Sequence, residues 1–301
     1  MAFLFHQNMR NFGGAAPARN ASYTGAFGAI AVGLAGAGGI CVGGMTEIVN
    51  NGTASVTLSG PAPNLFNWLG LQPAVLAACG ITALARGPEF IGIGIAGVAL
   101  ASVGRIFLQA SGQAINLIHD IARPGPPSPE WSEAVPPSAT PDYRGVVYVV
   151  VTSAATGPFG VGFLHNLYTF VEQRILVAGQ IPAILALMRA NPAMAGGRGH
   201  VFLGGDFNVA PIIRGTPRTG IATCYAVGAA PAATPPGAMA GGTTWNGNLY
   251  DYWYSDLSPA APVPIAPGGV ALPIPGVATN TLDSGAAGLM SDHAATVLQI
   301  V

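Results

Sequence analysis

Short runs of β-branched and aromatic residues, each closed by glycine or proline, recur from one end of the chain to the other and limit the folds open to it. Residues 2–5, 40–43, 90–100, 146–152, 200–204 and 294–301 each read as a buried strand. Between the fourth and fifth lies 164–189, where Leu167, Phe170, Val171, Ile175, Ile181, Ile184, Leu185 and Met188 recur at helical spacing. Gly179 and Pro182 divide that segment into two helical pieces, and Asn191-Pro192 stops the second. Two proline-rich stretches, 124–141 and 259–275, follow neither period and read as surface loops, insertions near 123–142 and 259–277. Strands separated by helices or loops predict a layered α/β fold. No segment looks like a flexible break, so 1–301 reads as a single domain.

Composition matters here because it weakens hydropathy. Only 8% of residues are charged, against about a quarter in ordinary soluble proteins, so Ala, Gly, Ser, Thr and Pro must cover much of the surface. The charge-free stretch 20–46 is broken by glycines and carries few large aliphatics, and 48–85 holds Asn, Pro and Trp; neither reads as a membrane span. The N-terminus has no basic segment before its short apolar run, hence no Sec-type signal. Cytoplasmic residence is the default expectation, with delivery as a secreted effector the alternative. Cys41, Cys79 and Cys224 form neither a disulfide framework nor a metal-binding spacing and read as buried small hydrophobes.

All eleven basic residues are arginines and the formal net charge is −1. That balance argues against a broad electrostatic grip on nucleic acid, so any such contact must come from a local arginine cluster. The missing lysines fit a GC-rich genome, or a toxin that gains from lacking ubiquitin-acceptor sites.

With acids so scarce, their placement is informative. The segment His200-Val-Phe-Leu-Gly-Gly-Asp206-Phe-Asn208 is a hydrophobic strand that delivers an Asp and an Asn two residues apart, on one face, beside glycines that let a ligand approach. The last strand is announced by Ser291-Asp292-His293, an acid and a histidine suited to general-base or metal work.

A strand running into Gly-Asp-Phe-Asn, with Ser-Asp-His before a terminal strand, resembles the endonuclease/exonuclease/phosphatase superfamily. Further motifs follow in the superfamily's order: Asn8 in Phe5-His6-Gln7-Asn8-Met9 after the first strand, Glu47 after Ile40-Cys-Val-Gly-Gly-Met-Thr46, and Asp251 in Leu249-Tyr250-Asp251-Tyr252, with Asp256 as a competitor. The resemblance spans residues 8 to 293. It implies a four-layered α/β sandwich, two packed mixed β-sheets flanked by helices, as in DNase I-like proteins.

The resemblance also implies a divalent-metal-dependent phosphoester hydrolase using Mg2+ or Mn2+, with Glu47, Asn8 and Asp292 as metal residues. Asp206, Asn208, His293 and Asp251 are then the catalytic set: His293 and Asp206 take up and position the attacking water, and Asn208 donates to a phosphate oxygen or near the nucleophile. The superfamily carries a second histidine in a Thr-x-His-Ala segment. Val149-Val-Val-Thr152-Ser153-Ala154 matches it with Ser153 in the histidine's place, which makes Ser153 a substrate-binding hydroxyl and a poor proton donor. His165 and His119 read as ordinary partly buried histidines on loops.

Asn8-Met9 and Ser153-Ala154 resemble the DNase I branch and the nuclease subunit of cytolethal distending toxins. Arg144 and Arg123 are its phosphate-binding candidates. The expected substrate is DNA. A phosphoinositide or other phosphoester is the alternative, and a catalytically degenerate binding protein is a third reading, resting on Ser153. A partner protein is not readable from these residues.

Overall fold

The computed structural model describes residues 2–12, 40–48, 67–71, 90–111, 114–121, 145–166, 168, 171–210, 212–213, 216–217, 244, 248, 250–254, 293 and 296–300. Both proline-rich stretches lie outside these residues, as do Cys79, Arg123, Arg144, Cys224, Asp256 and Asp292.

In chain order the strands are β1 (Ala2–Phe12), β2 (Ile40–Ile48), β3 (Asn67–Leu71), β4 (Phe90–Ala96), β5 (Ala99–Ser111), β6 (Ala114–Ile121), β7 (Val146–Ser153), β8 (Gly157–His165), β9 (Val201–Asp206), β10 (Ile212–Ile213), β11 (Thr216–Pro217), β12 (Asp251–Tyr254) and β13 (Thr296–Ile300). They form a five-stranded sheet ordered β13-β1-β2-β4-β3, a six-stranded sheet ordered β12-β9-β8-β7-β5-β6, and a small β10-β11 ribbon. Both large sheets are mixed: β1 and β2 run parallel, as do β8 and β9, and the remaining pairs are antiparallel. Parallel neighbours need a crossover connection. For β8 and β9 it is supplied by helices α1 (Val171–Gly179) and α2 (Ile181–Arg189).

Val177, Ala178, Ile181, Ile184, Leu185 and Met188 turn inward from these helices and are fully buried. Val171–Arg189 is apolar enough to pass a length-and-composition test for a membrane span, but its buried face packs on the six-stranded sheet. Asn191 fastens this layer: its Nδ2 donates to Tyr148 Oη at 2.9 Å and Ser102 Oγ at 3.0 Å, and its Oδ1 accepts from Ala193 N–H at 2.9 Å.

Close packing within the sheets depends on glycine facing aromatic rings. Phe5 lies over its cross-strand partner Gly43, Tyr148 over Gly104, and Trp253 over Gly204; a β-carbon on these glycines would sit 2.1, 2.1 and 2.7 Å from ring atoms. Phe163 of β8 makes the same kind of contact with Gly44 of β2, 2.2 Å from where a β-carbon would be, and so seats one sheet on the other. This arrangement buries large rings where two β-carbons would hold the strands' neighbours apart.

The six expected strands are present, with corrected limits. The run 90–100 is split by Gly97, whose φ of 70° redirects the chain so that β4 stays in one sheet and β5 enters the other. The segment 164–189 is not helical from its start, since Leu164 and His165 finish β8. Strand β8 itself escaped the pattern because Gly157, Gly160 and Gly162 resemble turn residues; Gly160 and Gly162 pack against Val201, Met188 and Leu203 instead. A helical layer and both sheets of the expected sandwich are present among the described residues.

A β-carbon on Gly205 would meet the Leu164 carbonyl oxygen at 2.0 Å, a backbone atom that cannot move aside. Gly205→Ala is therefore expected to cost about 3 kcal/mol. Gly157, with φ 65° and nothing within 4 Å of an added β-carbon, should cost only about 1 kcal/mol as Ala. Urea unfolding midpoints of the two variants check the ranking.

Candidate active site

Strand direction gathers the chemistry at one edge of the sandwich. Parallel pairs β1-β2 and β8-β9 end there, and β12 and β13, antiparallel to their neighbours, begin there. Asp206, the last residue of β9, stands in register with His165 on one side and with Asp251, the first residue of β12, on the other. Asn8 of β1 pairs with Thr46 of β2, and Glu47 follows. His293 precedes β13 and is fixed by a bridge to Thr244 and by Gln7, whose Nε2 donates to the His293 carbonyl at 3.0 Å.

Asp206 is 1% exposed and gathers donors from several strands. Its Oδ2 accepts from Asn8 Nδ2 at 2.9 Å and Asn208 Nδ2 at 3.3 Å, and its Oδ1 accepts from Asn208 N–H at 2.8 Å. Two imidazoles face the same Oδ2, His165 Nε2 at 3.5 Å and His293 Nε2 at 3.8 Å. A carboxylate so placed is well supplied with donors and has two imidazoles within reach.

Asp251, fully buried, accepts from His293 Nδ1 at 2.8 Å on Oδ2. That bond sets the imidazole's tautomer and turns Nε2 toward Asp206. The other Asp251 oxygen, Oδ1, lies 3.7 Å from Nδ1 of His6, which is also fully buried and shares a 3.0 Å hydrogen bond with Thr46 Oγ1 through Nε2. Burial, then the nearby His293 and His165, hold the His6 pKa well below the ordinary histidine value, so His6 is neutral.

Among the described residues, the non-glycine positions with positive φ are Glu47 (58°) and Asn208 (51°), and both are at this edge. Such backbone is strained for a residue with a β-carbon and persists only where surroundings impose it. For Asn208 the surroundings are visible: its Nδ2 donates to the Asn166 carbonyl at 2.9 Å, Asn166 Nδ2 donates to the carbonyls of Phe207 and Arg174 at 2.9 and 3.0 Å, and Arg174 Nη1 donates to the Asn208 carbonyl at 2.6 Å.

The structure thus brings together Asn8, Asp206, Asn208, Asp251 and His293, with Glu47 beside them; Arg144 and Asp292 fall outside the described residues. Ser153 requires correction. It ends β7 at the hairpin, paired with Gly157 at the start of β8, whereas the strand end that meets Asp206 is His165. Ser153 Oγ instead bonds Thr156 Oγ1 at 2.9 Å. The histidine at the strand end before the helices is His165, in a strand whose glycines disguise it. Asn208 is corrected too: its amide is directed at Asp206 and the Asn166 carbonyl, so it holds the site together instead of reaching outward. His6, Asn166 and Arg174 were missed. Leu164-His165-Asn166 repeats the signal of Gly205-Asp206-Phe207-Asn208, an apolar strand running into polar residues, and could have revealed His165 and Asn166.

No protein-family model matches the sequence, and no curated protein matches it. Solved structures do. A mannosyl-6-phosphatase of Bacteroides thetaiotaomicron is similar with a TM-score of 0.58 at 14% identity, over 100% of both chains. The human Nocturnin catalytic domain gives 0.56 at 13%, over 100% of this chain and 94% of that one. An endonuclease/exonuclease/phosphatase family protein from Bacteroides thetaiotaomicron gives 0.53 at 13%, over 99% and 97%.

Removing the Asn208 side chain deprives Asp206 of a donor while the backbone strain stays. Asn208→Ala is expected to lower stability by about 2 kcal/mol, and Asn208→Gly by less, since glycine accepts φ 51° freely. Guanidinium melts should rank wild type, then Gly, then Ala.

Proposed function

The chain has the endonuclease/exonuclease/phosphatase fold, and from that frame we propose that it is a divalent-metal-dependent phosphoester hydrolase. The observation that carries this reading is the single Asp206 oxygen met by Asn8, Asn208, His165 and His293 beside the Asp251–His293 pair.

The donor set fits a hard divalent cation, Mg2+ or Mn2+. Asp206, Asp251 and His293 each offer a ligand atom within 4.8 Å of the others, and Glu47 and Asn8 add oxygens at the same edge. The 2.8 Å hydrogen bond between His293 and Asp251 engages the imidazole Nδ1 and marks that pair as acid-base equipment. The cation is therefore assigned to Glu47 and Asn8, with Asp292 of the sequence motif as a third ligand. Asn8 gives its Nδ2 to Asp206, and its Oδ1 is the side-chain atom with the chemistry to meet a cation. When bound, such a cation stabilises the negative charge that builds on the phosphoryl oxygens.

The protein's own groups supply the proton steps. With Nδ1–H directed to Asp251, His293 presents a lone pair at Nε2 and takes a proton from the attacking water, and Asp251 stabilises the imidazolium that results. Asp206, held by its donors, accepts a hydrogen bond from the O–H that the water keeps and aims the oxygen at phosphorus. As that O–P bond forms, the bond to the leaving oxygen breaks, and His165, beside Asp206, is the group placed to pass that oxygen a proton.

DNA is the first substrate class of this proposal, on the DNase I-like pattern of Asn8-Met9. A phosphoinositide or sugar phosphoester is the second reading, favoured by the net charge of −1 and the absence of lysine. His165, and not Ser153, faces Asp206, which supports the hydrolase reading over the binding-protein one.

Purified protein is expected to hydrolyse supercoiled plasmid or a small phosphoester with Mg2+ or Mn2+, and to lose that activity to a chelator. Asp206→Ala and His293→Ala should lower kcat/KM by about 10²- to 10⁴-fold, whereas Ser153→Ala should match wild type. Full activity in Asp206→Ala would overturn the assignment.

A further inference from the structure

We propose that His6 is a positioning residue for the Asp251–His293 pair, presenting Nδ1–H to one Asp251 oxygen so that the other stays on His293. Three fully buried groups carry the inference: His6, Thr46 and Asp251. His6 Nε2 shares its hydrogen bond with Thr46 Oγ1 at 3.0 Å, while Nδ1 has no partner within hydrogen-bond distance and faces Asp251 Oδ1 at 3.7 Å.

A neutral imidazole carries one N–H, and its location follows from its neighbours. If the proton were on Nε2, the Nδ1 lone pair would point at a carboxylate oxygen in a site without solvent, which is repulsive. With the proton on Nδ1, the Thr46 hydroxyl donates to Nε2 and the N–H points at Asp251. A modest turn of ring or carboxylate closes that contact into a hydrogen bond. The Phe163 ring, stacked on His6 with centroids 6.4 Å apart and planes at 24°, limits how far the imidazole can swing away.

The result is an Asp251 carboxylate held between two imidazoles, with His293 at 2.8 Å on the other oxygen. A carboxylate anchored at one oxygen can rotate and loosen its grip on His293; anchored at both, it cannot. Thr46 lies in register with Asn8 and immediately before Glu47, so one imidazole also ties the proposed cation-binding strands to the acid-base pair.

The test compares His6→Asn, whose amide nitrogen overlies imidazole Nδ1, with His6→Gln, whose amide nitrogen overlies Nε2, and with His6→Phe, which keeps only the ring. The kinetic arm rests on the hydrolase reading; the spectroscopic arm does not. Using a phosphoester that wild type hydrolyses, kcat should fall about 10-fold or more in His6→Gln and His6→Phe with KM little changed, and stay near wild type in His6→Asn. In 15N-labelled full-length protein, the His293 Nδ1–H resonance should move in the Gln and Phe variants and not in Asn. Equal kcat in Asn and Gln, or an unmoved His293 resonance, overturns the proposal. If wild type hydrolyses nothing, the hydrolase reading fails and the resonance alone decides the role of His6. Should His6→Phe not fold, the contrast between Asn and Gln still decides.

Discussion

Two carboxylates placed opposite each other on neighbouring strands, with almost no contact with water, set the terms for everything around them. Asp206 and Asp251 are in direct register on β9 and β12 and are 1% and 0% exposed. Like charges across a ladder repel, and burial without donors would cost several kcal/mol per group. Their own sheet supplies part of the remedy through Asn208 and His165. Much of the rest comes from the opposite sheet: Asn8 and His6 from β1, and His293 from the approach to β13. The site is a seam where one sheet brings the negative charge and the other brings donors, so the relative placement of the sheets is held by polar contacts as well as by the apolar core.

Such a seam needs the sheets to approach closely, and the glycines allow it. Phe163 can lie against β2 only because Gly44 has no β-carbon, and that same ring supports His6. Packing and chemistry thus meet in one side chain. The strained backbone at Glu47 and Asn208 belongs to the same account: Asn208 turns the chain just past the end of β9, and Glu47 sits where the register of β2 shifts before Ile48.

The sequence made much of this legible, for identifiable reasons. Strands β1, β2, β7, β9 and β13 are dense in Val, Ile, Leu or Phe, and Asp206, Asp251 and His293 stand out because acids and histidines are so few. Glycine obscured the rest. In Gly157–His165 it imitates a turn while lying inside a strand under Tyr148 and Leu203, and losing that strand moved the expected histidine to Ser153. His6 was hidden differently: its role depends on Asp251, 245 positions away, and nothing in the local Phe5-His6-Gln7 pattern announces that meeting.

The same separation shapes how the molecule comes into being. Gln7 meets the carbonyl of His293 across 286 positions, and Asn8 meets Asp206 across 198. Contacts of that span form late, because the loops they close are long. A nascent chain emerging from the ribosome can assemble β7, β8, the helical crossover and β9 well before β13 exists to dock against β1. During that interval Asp206 and Asp251 would lack the imidazole that His293 brings, and the seam would stay incomplete until β13 arrives.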